Sequence, residues 1–204
     1  SVWTKLGDDI DGEAANDYSG ISVSLSSDGT IVAIGGYEND GTASNAGHVR
    51  VYQYSNSAWT QLGADIDGEA ADDHSGWAVS LSSDGTIVAI GAPYNDGNRG
   101  HVRVYQYSNS AWTQLGDDID GEAGSDNSGI FVSLSSDGTI VAIGARYNDG
   151  NGSNAGHVRV YQYSNSAWTQ LGADIDGEAA SDWSGASVSL SSDGTIVAIG
   201  ANNN

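Results

Sequence analysis

The chain has 204 residues, of which 27 are acidic and 6 are basic, giving a formal net charge of −21. This charge repels polyphosphate backbones and anionic lipid surfaces, which excludes nucleic acid as a partner. No apolar run approaches the roughly 20 residues of a membrane span, so membrane insertion is not expected. The absence of cysteine excludes thiol chemistry, and 29 glycines with a single proline favour a turn-rich β protein.

An internal repeat dominates the sequence. The segment Ala-Trp-Thr-Gln-Leu-Gly recurs with its tryptophan at positions 59, 112 and 168, and a variant of it places Trp3 in the same role. We therefore read residues 1–204 as a single repeat domain. Its repeats cover approximately 3–58, 59–111, 112–167 and 168–204, with an N-terminal strand at 2–6.

Each repeat contains four strand-like segments separated by turn residues. In the first full copy these segments are 21–26, 30–35, 48–54 and 59–62. An Asp-Gly pair between the first two segments supplies the positive φ angles of a tight hairpin. The second segment is almost continuously apolar, as expected for a strand covered on both faces, whereas the third alternates between apolar and polar residues.

Four strands per unit, without helical periodicity, predict an all-β fold, a β-propeller of four-stranded blades. The chain opens on an outermost strand, contains three complete sets of strands, and closes on the first two strands of a fourth set at 186–200. We expect four blades, the fourth being assembled from both termini and lacking one strand. The unpaired backbone beside 195–200 predicts self-association through this incomplete blade.

Two stretches resemble the FG-GAP repeat, the blade of the integrin α-subunit propeller. They are Gly-Ala-Pro at 91–93 followed by Gly-His-Val-Arg-Val-Tyr at 100–105, and Ser-Gly-Ile-Ser-Val at 19–23, with serine where the family has phenylalanine. The resemblance implies an extracellular or cell-surface propeller used in adhesion or recognition and often loaded with calcium. The family's calcium loop between the first two strands is shortened here to Ser-Ser-Asp-Gly at 26–29, so its ligands cannot be carried over.

An acidic loop with the pattern Asp-Ile-Asp-Gly-Glu precedes the first strand of every repeat. Alternating carboxylates around a glycine can surround Ca²⁺, which takes about six to eight oxygen ligands. The alternative is a solvated loop whose aspartates cap turn amides. The candidate calcium ligands are Asp9, Asp11, Glu13, Asp65, Asp67, Glu69, Asp118, Asp120, Glu122, Asp174, Asp176 and Glu178.

Three histidines, His48, His101 and His157, occupy one repeated position at the start of the third strand. A residue copied into every blade indicates a structural role, because an active site needs a unique constellation. Zinc would need convergent histidines, and adjacent blades hold these apart. With neither a cysteine nucleophile nor a Ser-His-Asp set indicated, we predict that the protein is not an enzyme.

The repeats differ most around the Ser-Gly pair that opens the first strand. Aromatic side chains on such loops are favoured contacts for proteins and glycans. Drift at positions without a function would produce the same variation. The candidate binding face consists of Tyr18, His74, Trp77, Asn127, Phe131 and Trp183.

Near-identical repeats and an unfinished blade favour a non-enzymatic extracellular module with a structural or adhesive role, such as a subunit of a cell-surface filament or polymer. The alternative is a calcium-dependent lectin-like or protein-binding module that uses the variable aromatic face. A glycan or a protein would then be the ligand.

Overall fold

The computed structural model describes residues 2–204 as four antiparallel sheets, which we number blades 1 to 4 in chain order. Each of the first three blades has four main strands paired in chain order, and a further two-residue strand that pairs with the third. This arrangement confirms the predicted all-β, propeller-type fold. No helix among the described residues is long and apolar enough to cross a membrane.

Blade 1 closely follows the predicted strands. It consists of β1 (Ser22–Leu25), β2 (Ile31–Gly36), β3 (His48–Ser55), β4 (Ala58–Gln61) and β5 (Ile66–Asp67). The first four strands begin and end within one residue of their predicted bounds. The short β5 lies inside the acidic loop, where no strand was predicted.

Blades 2 and 3 repeat this pattern. Blade 2 consists of β6 (Ala78–Leu81), β7 (Ile87–Ala92), β8 (His101–Ser108), β9 (Ala111–Gln114) and β10 (Ile119–Asp120). Blade 3 consists of β11 (Phe131–Leu134), β12 (Ile140–Ala145), β13 (His157–Ser164), β14 (Ala167–Gln170) and β15 (Ile175–Asp176). All six residues of β7 are buried, as predicted for the second strand. A short irregular turn, Asn95–Asn98, lies between β7 and β8 and contains left-handed φ angles of 49° at Asp96 and 69° at Gly97.

Serine hydroxyls join the first strands of neighbouring blades. The Oγ atoms of Ser22 and Ser24 in β1 accept hydrogen bonds from the backbone N–H groups of Val79 and Leu81 in β6, both at 2.9 Å. The next two interfaces carry the same bond, from Leu134 to Ser80 and from Leu190 to Ser133, both at 3.0 Å. The first strands therefore lie side by side, and the blades follow one another in sequence order.

The apolar core lies between consecutive blades. Val49 and Val51 of β3 pack with Val79 and Leu81 of the next blade in one cluster, and an equivalent cluster joins blades 2 and 3. Alternate residues of each strand supply these contacts, because successive side chains of a strand point to opposite faces. Each sheet is thus stabilised by the sheets beside it.

The two ends of the chain differ from the prediction. Blade 4 contains only β16 (Ser184–Leu190) and β17 (Val197–Ala201), and in the described structure residues 2–6 form no strand and do not complete it. Instead, the carbonyl of Leu6 accepts a 2.9 Å hydrogen bond from Trp59 Nε1 of blade 1. The same bond joins Trp112 to the Leu62 carbonyl and Trp168 to the Leu115 carbonyl. The N-terminal segment thus has the relation to blade 1 that each outer strand has to the following blade.

Candidate functional site

A nearly fully buried histidine begins the third strand of each complete blade. A glutamate from the acidic loop before the blade and an aspartate from the acidic loop after it lie beside this ring. We call these three sets the Glu–His–Asp groups. They are Glu13, His48 and Asp65; Glu69, His101 and Asp118; and Glu122, His157 and Asp174.

The spacing within these groups is wider than a hydrogen bond. In blade 1, His48 Nδ1 lies 3.7 Å from Glu13 Oε2 and 3.6 Å from Asp65 Oδ2. An N–H···O bond is about 2.7–3.2 Å long, and Nδ1 has no hydrogen-bond partner in the described structure although it is buried. The corresponding distances in blades 2 and 3 are 3.6 to 4.0 Å.

Burial lowers the pKa of all three imidazoles below the ordinary value of 6.5. The neighbouring carboxylates raise the pKa, but they do not compensate for the loss of solvation. The rings are therefore neutral at pH 7, and each has a nitrogen with a free lone pair. The Glu13 side chain is 47% exposed, so solvent reaches the group from the glutamate side.

A buried arginine two residues after each histidine fixes the acidic loop. Arg50 Nη2 donates a 2.7 Å hydrogen bond to the carbonyl of Asp11. The equivalent bonds run from Arg103 to Asp67 and from Arg159 to Asp120. In blade 2, Arg103 Nη1 also lies 3.4 Å from Glu69 Oε1, so Glu69 presents one oxygen to the arginine and the other to His101.

The acidic loops divide their carboxylates between blades. The two middle loops contribute their first aspartate to the blade behind and their glutamate to the blade ahead, whereas the first loop contributes only Glu13 and the last only Asp174. Half of the candidate calcium ligands thus enter the Glu–His–Asp groups. Asp9 instead forms a 2.7 Å ion pair with Lys5. Within residues 2–204, the candidates that belong to no such group are Asp9, Asp11, Asp67, Asp120, Asp176 and Glu178.

Sequence reasoning missed the histidines as partners of these carboxylates. It considered only whether the rings converge on one another. A usable signal was the Asp-Ile-Asp alternation, which is typical of a short strand. In the structure Asp67 of β5 is paired with His48 of β3, and this pairing carries Asp65 to the imidazole.

Part of the predicted binding face forms a continuous aromatic surface with two further tyrosines. We define this aromatic surface as Tyr18, Tyr37, His74, Trp77 and Tyr94. The ring of Tyr37 lies at its centre, with centroid distances of 5.2 Å to Tyr18, 5.2 Å to His74 and 4.8 Å to Trp77. Tyr94 closes the cluster at 4.8 Å from His74 and 5.5 Å from Trp77.

Three aromatic residues of the predicted binding face have an unfavourable backbone conformation. Tyr18, His74 and Trp183 occupy the same place in their repeats, with φ angles of 52°, 56° and 57°. Bulky residues rarely adopt this left-handed region, whereas asparagine tolerates it. The third repeat has Asn127 there, with φ of 54°. The loop geometry therefore does not require an aromatic side chain at this position.

The other predicted face residues lie elsewhere. Asn127 is buried. Phe131 is 38% exposed and lines an apolar groove with Ile21 and Ile130, and Trp77 contributes to this groove as well. The Trp183 ring packs edge-on against Tyr147, with 5.9 Å between centroids. The structure thus joins Tyr18, His74 and Trp77 in one surface and leaves Trp183 in a separate aromatic pair.

Comparison with known proteins supports the propeller-type fold and the FG-GAP resemblance of one repeat. The sequence model of the family described as FG-GAP repeat matches residues 64–105, which confirms the resemblance for that repeat. No curated protein sequence matches the chain. Among solved structures, a candidate 6-phosphogluconolactonase from Bacteroides uniformis is similar, with a TM-score of 0.57 and 13% identity over 87% of this chain and 46% of that protein. The chain therefore spans less than half the length of that relative, and the likeness concerns the fold alone.

Proposed function

We propose that the protein is a non-enzymatic, extracellular recognition module that binds a neutral glycan at its aromatic surface. The observation that carries this proposal is the choice of residue at the left-handed position. Tyr18 and His74 stand where the third repeat has Asn127 at nearly the same φ angle. An aromatic residue at a backbone position that disfavours it indicates a function of the side chain, because strained positions cluster at functional sites.

The surroundings of the aromatic surface suit a sugar. Tyr18 is 53% exposed, and a groove beside His74 and Tyr94 is lined by Asp72 and Asn98. Ring faces can accept the apolar face of a pyranose, while carboxylate and amide groups accept and donate hydrogen bonds to its hydroxyls. The net charge of −21 disfavours anionic glycans, so the ligand is a neutral one.

A glycan array with a conservative variant tests this proposal. The double variant Tyr18→Asn, His74→Asn copies the residue of the third repeat and should keep the melting temperature of the parent. We expect the parent to bind a subset of neutral glycans and the variant to lose this binding. Identical array patterns for the two proteins, or no glycan bound by the parent, would overturn the proposal.

The non-enzymatic and extracellular parts of the proposal rest on separate observations. His48, His101 and His157 have the same surroundings in three blades, which is typical of a repeated structural or binding element. An extracellular location is supported by the FG-GAP match at 64–105, because the family resemblance implies it. Calcium remains an alternative occupant of the Glu–His–Asp groups in this proposal.

A structural role is the second candidate function, because both lateral faces of the array expose core residues. Val23 and Leu25 of blade 1 are 62% and 58% exposed, whereas the equivalent Val79 and Leu81 are 8% and 7% exposed beneath blade 1. At the opposite face Ile196 is 69% exposed. Another blade of the same kind would cover either face, as happens three times within the chain.

Sedimentation velocity tests this second function. If copies associate face to face, the parent should form concentration-dependent oligomers, and Leu25→Asp or Ile196→Asp should each reduce them. Phe131→Asp, at an exposed apolar residue of the groove that Ile21 and Ile130 line, is the control. A parent that stays monomeric at high concentration contradicts a structural polymer.

A further inference from the structure

We propose that each complete blade binds one divalent transition-metal ion of the zinc type at its Glu–His–Asp group, three per chain. This inference is independent of the proposed glycan recognition, since the aromatic surface contains none of these residues. The site combines a buried imidazole with two carboxylates that reach it from different acidic loops.

The buried imidazole nitrogen is the observation that points to a ligand. His48 Nδ1 and His157 Nδ1 are buried, have no hydrogen-bond partner in residues 2–204, and face two carboxylates each. In blade 2 the buried nitrogen without a partner is Nε2 of His101, whereas Nδ1 is the atom that lies 4.0 Å from Glu69 and 3.6 Å from Asp118. A buried polar atom left unpaired is destabilising, so the unpaired Nδ1 that faces two carboxylates in blades 1 and 3 calls for a partner.

The distances leave room for an ion. Zinc lies about 2.0–2.2 Å from a histidine nitrogen or a carboxylate oxygen, so two of its ligands are separated by at most about 4.4 Å. His48 Nδ1 is 3.7 Å from Glu13 Oε2 and 3.6 Å from Asp65 Oδ2, within that limit. Water reaching the exposed glutamate would complete the coordination.

The donor set selects the class of metal. One imidazole and two carboxylates suit zinc and its first-row neighbours, whose affinities generally follow Mn²⁺ < Fe²⁺ < Co²⁺ < Ni²⁺ < Cu²⁺ > Zn²⁺. Ca²⁺ prefers about six to eight oxygens, and a neutral imidazole contributes none. We therefore expect zinc to bind more tightly than calcium at these groups.

Metal binding would crosslink three segments of each complete blade. In blade 3, Glu122 belongs to the segment that leads into the blade, His157 begins its third strand, and Asp174 belongs to the segment that leaves it. An ion bound to all three would hold these segments together in the folded state only. Zinc should consequently raise the melting temperature, and the increase should grow with the logarithm of the free zinc concentration once the sites are filled.

A matched pair of glutamate variants provides the test. Glu122 and Glu178 occupy the same place in consecutive acidic loops, but Glu178 belongs to no Glu–His–Asp group in the described chain. After chelation of resident metal, equilibrium dialysis against Zn²⁺ should give three ions per parent chain, two per E122Q chain and three per E178Q chain. Circular dichroism of the metal-free proteins checks that each variant folds.

Two measurements distinguish metal binding at the Glu–His–Asp groups from metal binding by carboxylates alone. Co²⁺ added to the metal-free parent should give visible d–d absorption that zinc displaces and that His157→Asn weakens by about a third. Ca²⁺ at equal concentration should not displace the cobalt. The proposal is wrong if the parent binds no zinc, if E122Q and E178Q bind equally, or if calcium competes on equal terms.

Discussion

Ile31 of blade 1 occupies the space that a side chain on Gly85 of blade 2 would need. An ideal Cβ on Gly85 would lie 2.7 Å from Ile31 Cδ1, and the glycine has φ of +72°. Ile87 has the same relation to Gly138, and Ile140 to Gly194. The turn between the first two strands is therefore also the surface on which the previous blade packs.

Gly29 and Gly85 allow the packing to be separated from the backbone strain. Both have φ of +72°, but nothing lies within 4 Å of a Cβ on Gly29. Gly29→Ala should cost only the left-handed backbone penalty of about 1–2 kcal/mol. Gly85→Ala should lower the free energy of unfolding by about 1–3 kcal/mol more, because Ile31 must move. Urea denaturation of both variants measures the difference, and equal losses would contradict the packing argument.

The serine hydrogen bonds between first strands allow a second comparison of two matched variants. Ser80 Oγ accepts from the N–H of Leu134, whereas its equivalent Ser189 accepts no bond from a following strand in the described structure. Ser80→Ala leaves a partly buried N–H unpaired and should cost about 1–3 kcal/mol. Ser189→Ala should be nearly neutral in the same thermal unfolding experiment. A neutral Ser80→Ala would show that water replaces the hydroxyl.

The tryptophan that joins consecutive outer strands should contribute more to the free energy of unfolding where it packs against the core. Trp112 packs against the cluster between blades 1 and 2 and donates to the Leu62 carbonyl at 2.8 Å. Trp59 donates to Leu6, which is 53% exposed. Trp112→Ala should cost about 3–5 kcal/mol. A smaller loss is expected for Trp59→Ala, and the reverse order in chemical denaturation would contradict this assignment.

Asp193 should make stability depend on pH in the acid range. Ser191 Oγ, and then the N–H and Oγ of Thr195, donate hydrogen bonds to its carboxylate and lower its pKa from 3.8 to about 2. Because the folded state has the lower pKa, the stabilisation is complete above pH 3.8 and is lost as the pH falls toward 2. The difference in melting temperature between the parent and Asp193→Asn should therefore shrink over this interval. A difference that is constant from pH 7 to pH 2 would show that the charge is not responsible.

The strands were predictable because their signals are local. The Asp-Gly turn and the apolar run that follows it define β1 and β2 without information from the rest of the chain. The relation between blades is not local. The repeat of Trp3 and Trp59 shows that Leu6 precedes blade 1 as Leu62 precedes blade 2, yet it does not reveal which sheet Leu6 contacts.

The candidate site was predictable only in part for the same reason. The carboxylates of the acidic loops were recognised from their spacing, and their division between blades was not. Asp65 and Glu69 are four residues apart, but one lies beside His48 and the other beside His101. Only the pairing of β5 with β3 shows this division.

The repeated serine-to-backbone bond has an evolutionary consequence. Every junction between blades uses the same donor and acceptor positions, so any blade can follow any other without a new contact. Recombination between near-identical repeats can then lengthen or shorten the array by whole units while each remaining junction stays intact. Repeat number becomes a heritable variable that changes the length of the array without altering any individual blade.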